Sequence, residues 1–313
     1  MISLQRHNFH VTGEPRGVVT VAWDVPQRSV NVLNQAVFAE LQTLLAELES
    51  DPTLRLVLFT SGKDSAFLAG ADLREIEVIP DGQAAARFSA LGQEVFRRVQ
   101  RLAVPTVAAI AGPCLGGGLE FALACRYRLA RDDGHTRLGF PEVGLGLSPA
   151  WGGTQRLPQL VGLAAALPML LEGRTLHARP AAAVGLVDGT WTPGAWAGGV
   201  RRFVADRLEG KAFRRRQRGL PVRLFDQTGR GRRLLLERAR RQVLLRCGPN
   251  SAAAAILSAV HQGILRGPEA GLAREREALA ELLFTPLCRS RLQQFLQRLP
   301  KQQVDQVASR IIR

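Results

Sequence analysis

Thr106 to Ala124 reads TVAAIAGPCLGGGLEFALA, and this stretch decides the fold class. Thr106 to Ala111 is β-branched or small and apolar, the composition of a buried strand. Gly112 and Pro113 break it, and Gly116, Gly117 and Gly118 lead into Leu119 to Ala124, which reads as a buried helix. A strand running through a glycine turn into a helix is the building unit of a largely parallel α/β fold.

The same alternation continues on both sides. Gly17 to Trp23 reads as a strand. From Asn34 to Glu49 apolar residues recur at Val37, Phe38, Leu41, Leu44, Leu45 and Leu48, predicting a helix capped by Asn34. Leu54 to Thr60 is a short apolar strand, 83–102 a second amphipathic helix, and Tyr127 to Arg131 another strand. Beyond about residue 195 strand patterns fade. Helical periods then dominate from Ser251 to Leu265 and from Ala273 to Phe284. We therefore expect a core over 1–195 and a basic helical region over 196–313.

Chemistry concentrates in three places. Ala66 to Glu75 (AFLAGADLRE) sets small residues around Gly70 where a strand should hand over to a helix, a turn that leaves backbone N–H groups exposed. The triple glycine at 116–118 lets a ligand approach the main chain, and the helix start adds positive potential suited to an oxyanion. A nucleotide phosphate loop is the competing reading. It fails in detail: Phe121 stands where a third glycine is required, and there is no Lys-Ser/Thr pair. Third, Glu120 and Glu142 each sit among apolar neighbours, Glu142 within Leu138 to Gly146 (LGFPEVGLG). Two such carboxylates near exposed N–H groups suit acid–base work.

These stretches resemble the two signature regions of the enoyl-CoA hydratase (crotonase) family: Phe67 to Glu75, then Ile110 to Gly162 with its Gly152-Gly153-Thr154-Gln155-Arg156-Leu157-Pro158 end. The likeness covers roughly residues 15–190. Within the family, 138–158 has the form seen in the N-terminal half of multifunctional fatty-acid oxidation α-subunits. The segment from about 201 to 300 resembles the linker before their dehydrogenase part. No G-x-G-x-x-G follows, so that part is expected to be absent.

The resemblance implies a spiral of ββα units with a helical C-terminal region. Glu120 and Glu142 become the acid–base pair and the N–H groups of Ala71 and Gly117 the oxyanion hole, with Ala69, Asp72, Leu73 and Gly116 against the coenzyme A thioester. The oxyanion hole is shared by several reactions of the family, and having both carboxylates selects reversible hydration of 2-enoyl-CoA, with double-bond isomerisation or another acyl-CoA reaction of the family as the alternative. The resemblance also implies assembly as a trimer or dimer of trimers. Coenzyme A enters as part of the substrate, so no separate cofactor and no metal is expected. The acyl pocket is expected between the 75–90 stretch and the C-terminal helices.

Composition narrows the rest. The 313 residues are 46% hydrophobic and 22% charged, ordinary for a globular protein. The four cysteines have no metal-ligand spacing and read as reduced buried thiols. No leader-like or membrane-length apolar run is visible, so a cytoplasmic location is expected. Net charge is +15. Residues 201–250 carry 16 basic against 4 acidic side chains, which reads first as a solvated helix face. A second class of function stays open on that charge: an acidic partner or RNA bound along Arg201–Arg246, with Phe203, Phe213 and Phe225 as its aromatics.

Overall fold

The computed structural model describes residues 3–64, 66–213 and 228–298. Among the described residues, ten strands form two sheets. The larger has the order β1 (Ser3–Gln5), β2 (Phe9–Glu14), β3 (Val18–Trp23), β4 (Leu56–Ser61), β5 (Thr106–Ile110), β7 (Tyr127–Arg131), β10 (Gly189–Trp191). β1, β2 and β3 pair antiparallel, and every pairing from β3 to β10 is parallel. The smaller sheet joins β6 (Cys114–Leu115), β8 (Arg137–Gly139) and β9 (Leu176–His177). The expected α/β architecture is present.

Strand side chains alternate between two apolar layers, as a two-residue period demands. In β4, Leu56 and Leu58 face one layer while Val57 and Phe59 face the other. In β5, Val107 and Ala109 oppose Ala108 and Ile110 in the same way. The smaller layer is closed by Val200 and Phe203 of α8 (Pro193–Leu208). The boundary expected at residue 195 thus falls inside a helix.

The larger layer takes α1 (Gln35–Ser50) and α3 (Gly82–Arg101). Asn34 caps α1 as expected, its Oδ1 accepting from Val37 N at 2.8 Å. Asp81 caps α3 in the same manner. Phe38, Phe88 and Phe96 from these helices surround Trp151 with ring centroids 5.1–5.8 Å from the indole. Each buried ring contributes on the order of 1.5–3 kcal/mol. Gly92 makes room for the indole, since a Cβ there would lie 2.4 Å from it.

Between the sheets and the C-terminal region run α2 (Leu73–Glu77), α4 (Gly117–Ala124), α5 (Gly153–Val161), α6 (Leu163–Leu171) and α7 (Ala178–Ala183). Then come α9 (Gly229–Cys247), α10 (Ala252–Arg266), α11 (Pro268–Leu282) and α12 (Pro286–Gln297). Their apolar faces join the larger layer through Val243, Ile256, Val260, Leu279, Leu283 and Leu292. No described helix is long and apolar enough to cross a membrane. Cys114, Cys125 and Cys288 are buried, but Cys247 is exposed at the end of α9, against the expectation of four buried thiols.

Candidate active site

Two glycine turns cross at the end of the parallel strands. Leu33 bridges Ala71, and Leu68 bridges Cys114. Leu33 N donates to Gly70 O and Asp72 N donates to Leu33 O, both at 2.8 Å. This pairing spends the neighbours of Ala71 and leaves its own N–H pointing away. Gly117, the first residue of α4, likewise donates to no acceptor among the described residues. The crossing is tight enough to require glycine: a Cβ at Gly118 would lie 2.1 Å from Leu68 O. Gly116 sits at φ +52°, where a Cβ would meet Glu142 Oε1 at 2.5 Å.

All eight site residues expected from sequence (Ala69, Ala71, Asp72, Leu73, Gly116, Gly117, Glu120 and Glu142) line one cavity of about 480 Å³. Ile76 and Phe88 from the 75–90 stretch line it too, as do Leu279 of α11 and Phe295 and Leu296 of α12. That stretch is mostly helical, being the end of α2 and the start of α3. Asp72 has its carboxylate committed inside the protein. Oδ2 pairs with Arg28 at 2.6 Å and Oδ1 caps α2 at Arg74 N. Its contribution to a bound substrate would come through the main chain.

The carboxylates differ sharply. Glu120 Oε1 accepts from the backbone N–H groups of Trp151 and Gly153, each at 2.7 Å. Burial pushes Glu120 above the usual carboxylate range, and those two donors pull against it. Glu142 lies in a short 3-10 helix (Pro141–Leu145), and its Oε2 is shielded from solvent without a hydrogen-bond partner among the described residues. The residue as a whole is partly exposed, while its Oε2 is enclosed. Burial raises Glu142 well above its ordinary value, and the negative charge of Glu120 raises it further.

A third carboxylate was not anticipated. Glu275 of α11 is fully buried, accepting from Gly152 N at 2.7 Å and from Thr154 N at 3.0 Å. The Thr154 hydroxyl and the Gln93 amide donate to it as well. Burial and the charge of Glu120 raise its pKa. Arg156, mostly buried, donates to Trp151 O at 2.6 Å and offsets part of this negative charge. One sequence signal could have found Glu275. It falls on the helical stripe Gly271, Glu275, Ala278, Leu279 and Leu282, all buried.

The sequence model of the family described as enoyl-CoA hydratase/isomerase matches residues 13–193. The chain belongs to that family. Among its curated relatives, the fatty acid oxidation complex subunit alpha of Shewanella putrefaciens is 39% identical over 277 residues. The match takes in 88% of this chain and 39% of that one, so the chain spans about two fifths of the relative's length. An enoyl-CoA hydratase structure from Bacillus anthracis superposes with a TM-score of 0.60 at 26% identity, covering 93% of this chain and 96% of the other. An enoyl-CoA hydratase structure from Mycobacterium avium subsp. paratuberculosis reaches a TM-score of 0.65 at 22% identity, a likeness of fold, over 93% and 96%.

For an enoyl-CoA hydratase/isomerase family member, the described residues contain no group of three or more His, Cys, Asp or Glu able to hold a metal ion. The basic segment behaves differently from its reading as a stacking surface. Phe203 and Phe213 pack against Tyr127 with centroids 5.3–5.6 Å apart, and Arg207 lies over all three rings. Phe225 lies outside the described residues.

Proposed function

We propose that the chain is an enoyl-CoA hydratase, adding water reversibly and syn across the double bond of a trans-2-enoyl-CoA to give the 3-hydroxyacyl-CoA in fatty-acid β-oxidation. One observation carries the reading: two enclosed carboxylates of opposite hydrogen-bond character share a cavity with two free backbone donors.

The thioester oxygen would lie between the N–H groups of Ala71 and Gly117, which stabilise the negative charge that collects there as C3 is attacked. Glu120 faces two N–H donors and has the better environment for an anion, so it takes a proton from water as the water oxygen bonds to C3. Glu142, with no donor on Oε2, is the better candidate to carry a proton, and it delivers that proton to C2 of the enolate. The net change is H and OH added to one double bond. The proton balance of the pair is restored by exchange with solvent as product leaves. Coenzyme A comes with the substrate.

The relatives' name supports the metabolic setting, and the helices lining the far side of the cavity support an acyl chain seated against Leu279, Phe295 and Leu296. The decisive experiment follows the loss of conjugated thioester absorbance with crotonyl- and hexenoyl-CoA, alongside 3-hexenoyl-CoA. Turnover of the 2-enoyl substrates to 3-hydroxyacyl-CoA is expected. Conversion of the 3-enoyl substrate alone would assign an isomerase. Salt-sensitive RNA binding that persists in Glu120→Gln, with no turnover of either substrate, would assign a binding protein. The assembly, proposed as a trimer or dimer of trimers, is read by mass in solution.

A further inference from the structure

Four consecutive N–H groups, Trp151 to Thr154, are divided between two carboxylates. Glu120 takes the first and third, and Glu275 the second and fourth. The turn is the start of α5, where such groups lack partners within the helix. Glu275 reaches it because α10 and α11 close down on Gln155, whose amide donates to Ala259 O. Gly263 and Gly271 permit that approach: a Cβ at either would lie within 2.2 Å of the Gln155 side chain. The Gly152-Gly153-Thr154-Gln155 sequence is therefore the seam between core and C-terminal helices.

Every group hydrogen-bonded to the Glu275 carboxylate donates to it: two backbone N–H groups, the Thr154 hydroxyl and the Gln93 amide. Burial and the charge of Glu120 nevertheless push Glu275 up to about 8, with these donors pulling towards the anion. The other charged groups facing this cluster are Glu120 of α4, Glu142, Arg156 of α5, and Arg276, which is held through Gln93.

Resting on the hydratase reading, we infer that Glu275 is a positioning residue for the reaction. It fixes the 151–154 turn that holds Glu120, and its charge sets the pH range in which Glu120 is ionised while Glu142 keeps its proton. The pKa directions agree, since Glu120 raises Glu275 and both raise Glu142.

The test compares pH profiles of kcat and KM for the wild type, Glu275→Gln and Glu275→Asp, with folding checked by circular dichroism. Removing a nearby negative charge lowers the pKa of both remaining carboxylates, so the Gln variant should move both limbs of the profile to lower pH by about half a unit or more. The Asp variant holds its charge one methylene further away and should move them less. KM should change little. A purely structural role would lower the whole curve without moving it, so unmoved limbs in whichever variant folds would overturn the inference. Failure of both variants to fold would also overturn it, assigning Glu275 to folding alone. The pH dependence of hexanoyl-CoA affinity, measured by calorimetry, reads the same shift without turnover. A wild type that does not hydrate but shows that shift on Glu275→Gln would refute the reaction and keep the positioning role.

Discussion

Two helices of this protein begin beside the carboxylates of the site, α4 next to Glu142 and α5 next to Glu120, and use their first N–H groups in opposite ways. At α4 the Gly117 N–H opens onto the cavity with no protein acceptor among the described residues, beside that of Ala71. At α5 every N–H from Trp151 to Thr154 is taken by Glu120 or Glu275. An unsatisfied helix start attracts negative charge in both places. The first offers that attraction to a substrate, and the second spends it on holding the protein's own acids. The proposed reaction uses both: donors kept free for charge that would develop on the thioester oxygen, and donors already committed to the acids assigned to proton transfer.

The largest break in this contrast comes from removing the acid that joins the two ends. Glu120→Gln should lower hydration by about 10²–10⁴-fold while the fold survives, because general acid–base catalysis is worth that much. Steady-state turnover with circular dichroism checks it. Near-native turnover in this variant would end the mechanism.

A smaller effect is expected at the free donors. Gly118→Ala places a Cβ against Leu68 O and forces the two glycine turns apart, displacing the Gly117 N–H without touching either acid. The expected outcome is a loss of about 10²-fold in kcat, with a destabilisation of about 1–3 kcal/mol by urea titration.

The smallest effect sharpens the contrast between the acids themselves. Glu142 has a raised pKa in the folded chain, so its contribution to stability is full below the unfolded carboxyl value. That contribution is lost as the pH rises towards the folded value. Glu142→Gln removes this dependence. The melting temperature of the variant minus that of the wild type should therefore increase as the pH is raised from 4 to 8. A difference that stays flat would mean that the carboxyl is not enclosed.

The sequence made the α4 end legible because its constraints are local. Glycines at 116–118 and a glutamate two residues later announce a helix start with open backbone, and Glu142 follows from a nearby stretch of the same motif. The α5 end was only half legible. Gly152-Gly153-Thr154-Gln155 stood out as a pattern, but its purpose depends on α10 and α11, more than 100 residues away. Glu275 sits in Ala273-Arg274-Glu275-Arg276-Glu277, which reads as a solvated charged face. The apolar stripe of Gly271, Ala278, Leu279 and Leu282 marks Glu275 as inward-facing, but the donors that receive its carboxylate come from tertiary packing. The position expected for a break, residue 195, falls inside α8 for a similar reason. Composition changes there, but the Gly/Pro/Trp-rich stretch opens a helix whose Val200 and Phe203 close a layer of the sheet.

The division of the 151–154 amides also sets where this polypeptide can be cut. A shortened version ending before α10 would keep both signature regions and both acids of the proposed reaction. It would nevertheless leave the Gly152 and Thr154 amides facing empty space in the protein interior. For the proposed reaction the shortest working form of this chain must therefore keep α11 for these amides and α12 for the cavity wall at Phe295 and Leu296, and a fusion or tag belongs beyond both.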